Sequence, residues 1–206
     1  MNKRFWNNHY EKFSLDKPSN FARFCLKFLK KNEFNLDIGC GNGRDTKYFL
    51  DKGYHFIGLD ISEKAIKKNK ERIGNFFFNS NICHLSFKRY SIGKKKFNNI
   101  YARFFLHTIT KKNENIFFKN ASIILKKKGK IFLEFRTIKD PKAKIGKKIS
   151  KNERITDHYR RFILVEELKK LIKFNKFKIV YQKQSFNFAR FKNQKPHICR
   201  MILVKN

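Results

Sequence analysis

Apolar residues recur along this chain with two spacings, and stretches of each kind alternate. "PSNFARFCLKFLKK", Pro18 to Lys31, places Phe21, Phe24, Cys25, Phe28 and Leu29 at the spacing of an amphipathic helix, with Pro18 and Ser19 at its start. "EFNLDIG" reads as a first strand. A helix from Arg44 to Lys52 follows, closed by Gly53. "YHFIGLD" is a second strand, and "SEKAIKKNKERIG" a helix with Ser62 as N-cap and Gly74 at its end. "NFFFNSNI" and "FNNIYARFFL" give the third and fourth strands. "ENIFFKNASIILKK" is a helix, and Gly129 to Thr137, "GKIFLEFRT", a fifth strand. "VEELKKLIKFN" is a last helix. "KFKIVYQKQSF" and "PHICRMILVKN" read as two closing strands, antiparallel neighbours. The alternation predicts an α/β fold with a mostly parallel sheet.

One segment resists this reading. "IKDPKAKIGKKISKNERITDHYRRF" is long, lysine-rich and aperiodic, and contains Pro141 and Gly146. Connections of this length serve as lids or stay disordered, so residues 138–158 are expected to form a lid or loop. No internal repeat or linker divides the chain. The expectation is a single domain over residues 1–206, with 1–32 as an N-terminal helical cap. Trp6, Tyr10 and Phe13 fall near helical spacing there, as a packed helix or as a flap over a ligand.

Composition narrows the class. The chain's 206 residues suffice for a sizeable core without disulfides. It lacks a run of 18 apolar residues, and its start lacks the apolar centre of a signal peptide, so no membrane insertion and a cytoplasmic location are expected. Cys25, Cys40, Cys83 and Cys199 are scattered, which implies free thiols and no metal site. The formal charge of +34 is open to two readings. It fits a polyanionic partner, or drift towards residues with AT-rich codons, since Lys, Asn, Phe and Ile are all abundant. A positive field steers small anions in either case.

The chemistry gathers at "FNLDIGCGNGRD". Its pattern is Asp37-x-Gly39-x-Gly41-x-Gly43. The third glycine is too early for GxGxxG, and no GK[ST] follows, so a pyrophosphate cradle is disfavoured. Asp60 ends the second strand, where an acid accepts hydrogen bonds from both ribose hydroxyls of a nucleoside. S-adenosylmethionine meets these requirements. Its amino-acid portion would lie over Gly39, Cys40 and Gly41, with Asp37 supporting the ammonium.

"LDIGCGNGRDTKYF" with "GLDIS" resembles the first two motifs of class I S-adenosylmethionine-dependent methyltransferases, over roughly residues 18 to 205. That resemblance implies a Rossmann-like sheet in the order 3-2-1-4-5-7-6, with the last strand antiparallel. It implies cofactor contacts at Asp60 and Ile61, at Asn81 and Ile82 after the third strand, and at Arg103 and Phe104 after the fourth. S-adenosylhomocysteine would be the product. The [DN]PP[YF] motif of adenine and glutamine-amide methylases is absent, which weighs against a nucleic-acid substrate.

"YARFFLH", "LEFRTIKD", "TDHYRRF" and "PSNFARF" resemble a group of bacterial methyltransferases of capsule and surface-polysaccharide biosynthesis, some in methyl phosphoramidate pathways. The implied partner is a small anionic acceptor, phosphorylated or nucleotide-linked, methylated on oxygen. His107 and His158 are the candidate bases. Tyr10, Arg136, Tyr159, Arg160 and Arg161 are the candidate acceptor contacts, although adjacent Arg160 and Arg161 point opposite ways in an extended segment. Glu134 shares a strand face with Arg136 and is expected to pair with it. An RNA methyltransferase and a non-catalytic cofactor-binding regulator are the alternatives.

Overall fold

Ser19 shows how local chemistry starts an element here. Its hydroxyl accepts a hydrogen bond from Ala22 N at 3.0 Å and caps the helix Asn20–Cys25. The computed structural model of the protein describes residues 3–12, 16–85, 87, 96–191 and 193–206. Phe13, part of the predicted aromatic stripe, lies outside the described residues. The helices are α1 (Lys3–Lys12), α2 (Asn20–Cys25), α3 (Arg44–Asp51), α4 (Glu63–Ile73), α5 (Lys111–Ile124) and α6 (Val165–Phe174). The strands of the main sheet are β1 (Phe34–Ile38), β2 (His55–Asp60), β3 (Phe77–Asn79), β4 (Phe97–Arg103), β5 (Leu125–Arg136), β9 (Phe177–Ser185) and β10 (Ile198–Lys205). They form one sheet in the order β3-β2-β1-β4-β5-β10-β9. The first five run parallel, and β10 is antiparallel to both β5 and β9. This is the order the family resemblance implies.

Adjacent residues on one strand serve two cores, because side chains alternate across a sheet. Ile57, Ile100, Ile131 and Leu203 face Phe117 and Ala121 of α5 and Leu168 of α6. Their neighbours Phe56, Tyr101, Phe132 and Ile202 face Phe21 and Cys25 of α2 and Phe49 of α3. Both faces are therefore covered, and the C-terminal ends of β1, β2, β4 and β5 are left as the open edge where loops gather.

Several boundaries differ from the sequence expectation. The helix predicted over Pro18–Lys31 stops at Cys25 and tightens into a 3-10 turn, Leu26–Phe28, with Leu29 already extended. Strand β5 begins at Leu125, four residues before the predicted start at Gly129, its exposed Lys126–Lys128 hiding the period. The predicted lid is ordered secondary structure. Asp140 caps a 3-10 turn, Pro141–Lys144, and the strands β6 (Lys147–Lys148), β7 (Glu153–Ile155) and β8 (Tyr159–Arg161) form a separate antiparallel meander. Strands of two or three residues are too short to display a period.

Candidate active site

The glycine loop leaves β1 and folds back on β2. Gly39 N and Cys40 N both donate to Leu59 O, at 2.8 and 3.0 Å. Gly41 sits at φ +54°, in the left-handed region that favours glycine, with Tyr10 of α1 lying directly against it. Asp60 ends β2. Its Oδ2 accepts from Gly41 N at 2.9 Å and its Oδ1 from Ser62 N at 2.8 Å. Asn69 of α4 completes the brace, donating through Nδ2 to Gly41 O at 2.8 Å.

Between these parts lies a pocket of about 50 Å³, walled by Gly39, Leu59, Asp60, Ile61, Asn81, Ile82 and Phe105. Trp6 and Tyr10 of α1 also line it. Asn81 Oδ1 accepts from Cys83 N at 2.9 Å, which fixes the side-chain amide at the wall. The pocket adjoins a crevice of about 660 Å³ that runs along the sheet from the loop to β10. Tyr10, Gly39, Trp6 and Phe104 line both.

These residues suit S-adenosylmethionine. The backbone is bare at Gly39 and Gly41, where side chains would crowd Phe105 and Tyr10. Asp60 lines the pocket with a carboxylate able to accept from a ribose diol. Asp37 is buried and accepts from Thr46 Oγ1 at 2.6 Å. Burial, opposed by that hydrogen bond and reinforced by nearby Asp45 and Asp60, raises its pKa to about 8. Such a carboxyl favours a cation beside it, and the cofactor carries an ammonium and a sulfonium. Asp60 is also raised by burial, against the pull of its backbone hydrogen bonds.

The crevice is lined by eight cationic side chains, Lys17, Arg44, Arg103, Arg136, Lys142, Arg160, Arg190 and Arg200, against four carboxylates, Asp37, Asp45, Glu134 and Asp157. Glu134 is shared by Arg103 Nε at 2.9 Å and Arg200 Nε at 2.8 Å. Arg136 pairs instead with Asp140 at 2.8 Å, so the expected Glu134–Arg136 pair gives way to these two. Arg103 also stacks on Phe104, 4.2 Å from the ring centre. Phe104 holds φ +56° and donates its N–H to Glu134 O at 2.7 Å, bringing its ring to the crevice.

The two histidines have different surroundings. His107 is buried and accepts a hydrogen bond at Nδ1 from Arg136 N, at 3.4 Å. Burial, with Arg136 and Arg160 nearby, pushes its pKa well below the ordinary value. Its accepting nitrogen is thus engaged by backbone. His158 sits on the β7–β8 turn with Nδ1 3.0 Å from Asp157 Oδ2 and packs against Phe5 and Trp6. Burial and Arg160 lower its pKa to about 4. A neutral ring that donates Nδ1–H to Asp157 keeps a lone pair on Nε2. Asp157 is held well below the usual carboxylate range by hydrogen bonds from Arg160 and Thr156.

Of the other predicted acceptor contacts, Arg136, Arg160 and Tyr10 line the crevice. Arg161 does not. It turns to the opposite side and is buried against Glu114 Oε1 at 2.7 Å and Ile109 O at 3.0 Å. Tyr159 is likewise absent from the crevice wall. Its hydroxyl is bonded to Glu153, and burial with that bond raises its pKa. Both alternate with Arg160 along β8, so the strand geometry that admits Arg160 excludes them.

Sequence reading missed a buried cluster at the other wall. Asp45 Oδ1 accepts from Ser19 N, and its Oδ2 from Ser19 Oγ and Tyr101 OH, each at 2.7 Å. This ties α2 to α3 and β4. In sequence Asp45 is an acid in a first helical turn, an ordinary partner for the helix dipole, and nothing there marks its distant contacts.

Residues 36–129 match the family described as "Methyltransferase domain". An uncharacterized methyltransferase of Schizosaccharomyces pombe is 29% identical over 108 residues, 52% of this chain and 74% of that protein. Among solved structures, a SAM-dependent methyltransferase of Methanosarcina mazei matches with a TM-score of 0.76 at 18% identity, over 88% of this chain and 96% of that one. The 1,6-didemethyltoxoflavin-N1-methyltransferase of Burkholderia thailandensis, solved with 1,6-didemethyltoxoflavin and S-adenosylhomocysteine, matches at 0.66 and 18%, over 90% and 76%. The sheet order, the braced glycine loop and the matched domain define an enzyme of one-carbon transfer. More narrowly, its fold is that of the class I S-adenosylmethionine-dependent methyltransferases. Among the described residues no helix is long and apolar enough to cross a membrane, and no cluster of three or more metal-ligating side chains occurs.

Proposed function

We propose that the enzyme methylates an oxygen of a small anionic acceptor, phosphorylated or nucleotide-linked. The observation that carries this reading is the excess of cationic over acidic side chains lining the crevice beside the cofactor pocket. Bound S-adenosylmethionine supplies an electrophilic methyl on a sulfonium. The chain's own residues orient, neutralise and desolvate. Arg136 and Arg160 hold oxyanions of the acceptor, since guanidinium forks match them in shape and charge. Trp6 and Tyr10 on α1 cover the cofactor side and exclude water. Asp60 holds the nucleoside end and the glycine loop the amino-acid end.

His158 is the favoured base where the acceptor is a hydroxyl. Asp157 orients its ring, and its Nε2 takes the proton. An anionic acceptor offsets Arg160 and raises the basicity of His158 when bound. A phosphate or phosphoramidate oxygen needs no base and only positioning. The narrower expectation, a precursor in surface-polysaccharide biosynthesis, rests on the sequence segments quoted above, and a cytoplasmic location goes with it.

The test is incubation with labelled S-adenosylmethionine and a panel of nucleotide sugars, cytidine-linked phosphoramidates and RNA. Label is expected in a small anion. Label in RNA alone, with binding that falls steeply with salt, sinks this reading in favour of an RNA methyltransferase. Cofactor binding without turnover on any acceptor supports a regulator.

A further inference from the structure

Arg200 has a place in the crevice that the reading above leaves unused. It lies on β10, three strands from β1 in the sheet, on the face shared with Glu134 and Arg136. Its Nε is fixed by Glu134 Oε2. Its guanidinium carbon stands 4.0 Å from the ring centre of Phe188, 5.3 Å from Phe21 and 5.5 Å from Phe24. The residue is 6% exposed, yet its Nη2 has no hydrogen-bond partner among the described residues. A buried guanidinium nitrogen without an acceptor is costly. Nor is its charge fully balanced, since Arg103 and Arg200 share the single carboxylate of Glu134. Arg190 and Gln194, on the connection between β9 and β10, line the same end.

We infer that Arg200 is a specificity-determining residue, binding through Nη2 a second oxyanion of the acceptor, a carboxylate or phosphate, away from the reacting end. The inference rests on the crevice being the acceptor site. The acceptor class is then a molecule with a negative group at each end: one held by Arg136 and Arg160, the other by Arg200. Phe188 stacks over the guanidinium, so its ring gives way as the group enters. Glu134 keeps the fork pointed while the aromatic rings exclude water, which strengthens the pairing with an anion.

Trp6, the lone tryptophan, lines the crevice and reports occupancy by fluorescence. The probes are α,ω-alkanediphosphonates of increasing length and the matching alkylphosphonates, titrated into the intact 206-residue chain saturated with S-adenosylhomocysteine. One diphosphonate length is expected to bind at least tenfold tighter than its one-ended counterpart. Arg200→Gln should erase that advantage while leaving alkylphosphonate binding and S-adenosylhomocysteine affinity intact. Arg200→Lys, which keeps the charge beside Glu134 but loses the fork, should erase most of it, and decides the matter if Arg200→Gln does not fold. An advantage retained in the Arg200 variants, or absent from the native protein while alkylphosphonates still bind and Arg160→Gln weakens them, overturns the Arg200 subsite alone. Failure of every phosphonate to bind the native protein overturns the acceptor site as well.

Discussion

Tyr10 lies over Gly41 so closely that a single methyl group at residue 41 would overlap its phenol ring. The helix α1, remote in sequence, is thereby seated on the cofactor loop. It is held to α4 by Lys3–Glu63 and Lys64–Glu11, each at 2.6 Å, and by Asn7 on Ser62 at 2.8 Å. Gly41→Ala meets two penalties: the left-handed backbone, about 1–2 kcal/mol for a residue with a Cβ, and the overlap. Thermal denaturation should fall by several degrees and S-adenosylmethionine affinity by at least tenfold. Adding Tyr10→Ala should recover part of the lost stability. A double variant no more stable than the single one argues against Tyr10 as the crowding group.

Asp60 braces the loop, and the proposed reading also gives it the ribose. Asp60→Ala removes the acceptor for Gly41 N and for the ribose together, and should weaken S-adenosylmethionine binding by well over tenfold in calorimetry. Unchanged affinity would refute the assignment.

Asp37 gives a pH signature. Its folded pKa, about 8, stands above its ordinary value of 3.8, so the folded chain keeps a proton that the unfolded chain releases between those values. Stability from this group is full below about pH 4 and is lost as pH rises through 8. Asp37→Asn should therefore raise the melting temperature of the ligand-free protein most near pH 8 and least near pH 4. Native affinity for the cationic cofactor should rise from pH 6 to 8 with proton release, seen as a buffer-dependent binding enthalpy, and the variant should lose that dependence.

The histidines are separable by kinetics. For a hydroxyl acceptor, His158→Ala should lower kcat by about 10²–10⁴-fold, the usual contribution of a positioned base. The acid limb of kcat/KM should fall near pH 4, the value set by burial and Arg160. His107→Ala should cost mainly stability, because its Nδ1 serves Arg136 N. A collapse of kcat in the His107 variant, with His158→Ala within threefold of native, reverses the assignment.

Arg161 provides the contrast. Removing it leaves buried Glu114 with Lys111 alone, at 2.8 Å, and costs about 3 kcal/mol, the lower end for a broken buried pair. Arg161→Ala should unfold at much lower denaturant, and the folded fraction should keep native KM. A raised KM with unchanged stability would return Arg161 to the acceptor site.

The glycine loop and Asp60 were legible because their chemistry is local. A bare backbone turn after one strand and an acid at the end of the next are both written as short patterns. Long elements were legible too, since helical and strand periods persist over enough residues to be read. The meander of β6, β7 and β8 was not, because strands of two or three residues carry no period. The crevice wall takes in some of the candidate acceptor residues and leaves out others. Arg136, Arg160 and His158 stood out as chemically suited residues, but sequence offered Tyr159 and Arg161 on the same grounds. Only the direction of each side chain along β8 separates them.

By itself the sequence determined the α/β alternation, the glycine loop and the cofactor it suits, because these depend on residue type and short spacing. The tertiary structure alone decided what pairs with what: Asp45 with Ser19 and Tyr101, Glu134 with Arg103 and Arg200, Tyr10 with Gly41. Those partners lie tens of residues apart. Which charge is neutralised and which is left facing a ligand depends on distance and burial, quantities that exist only once the chain has folded.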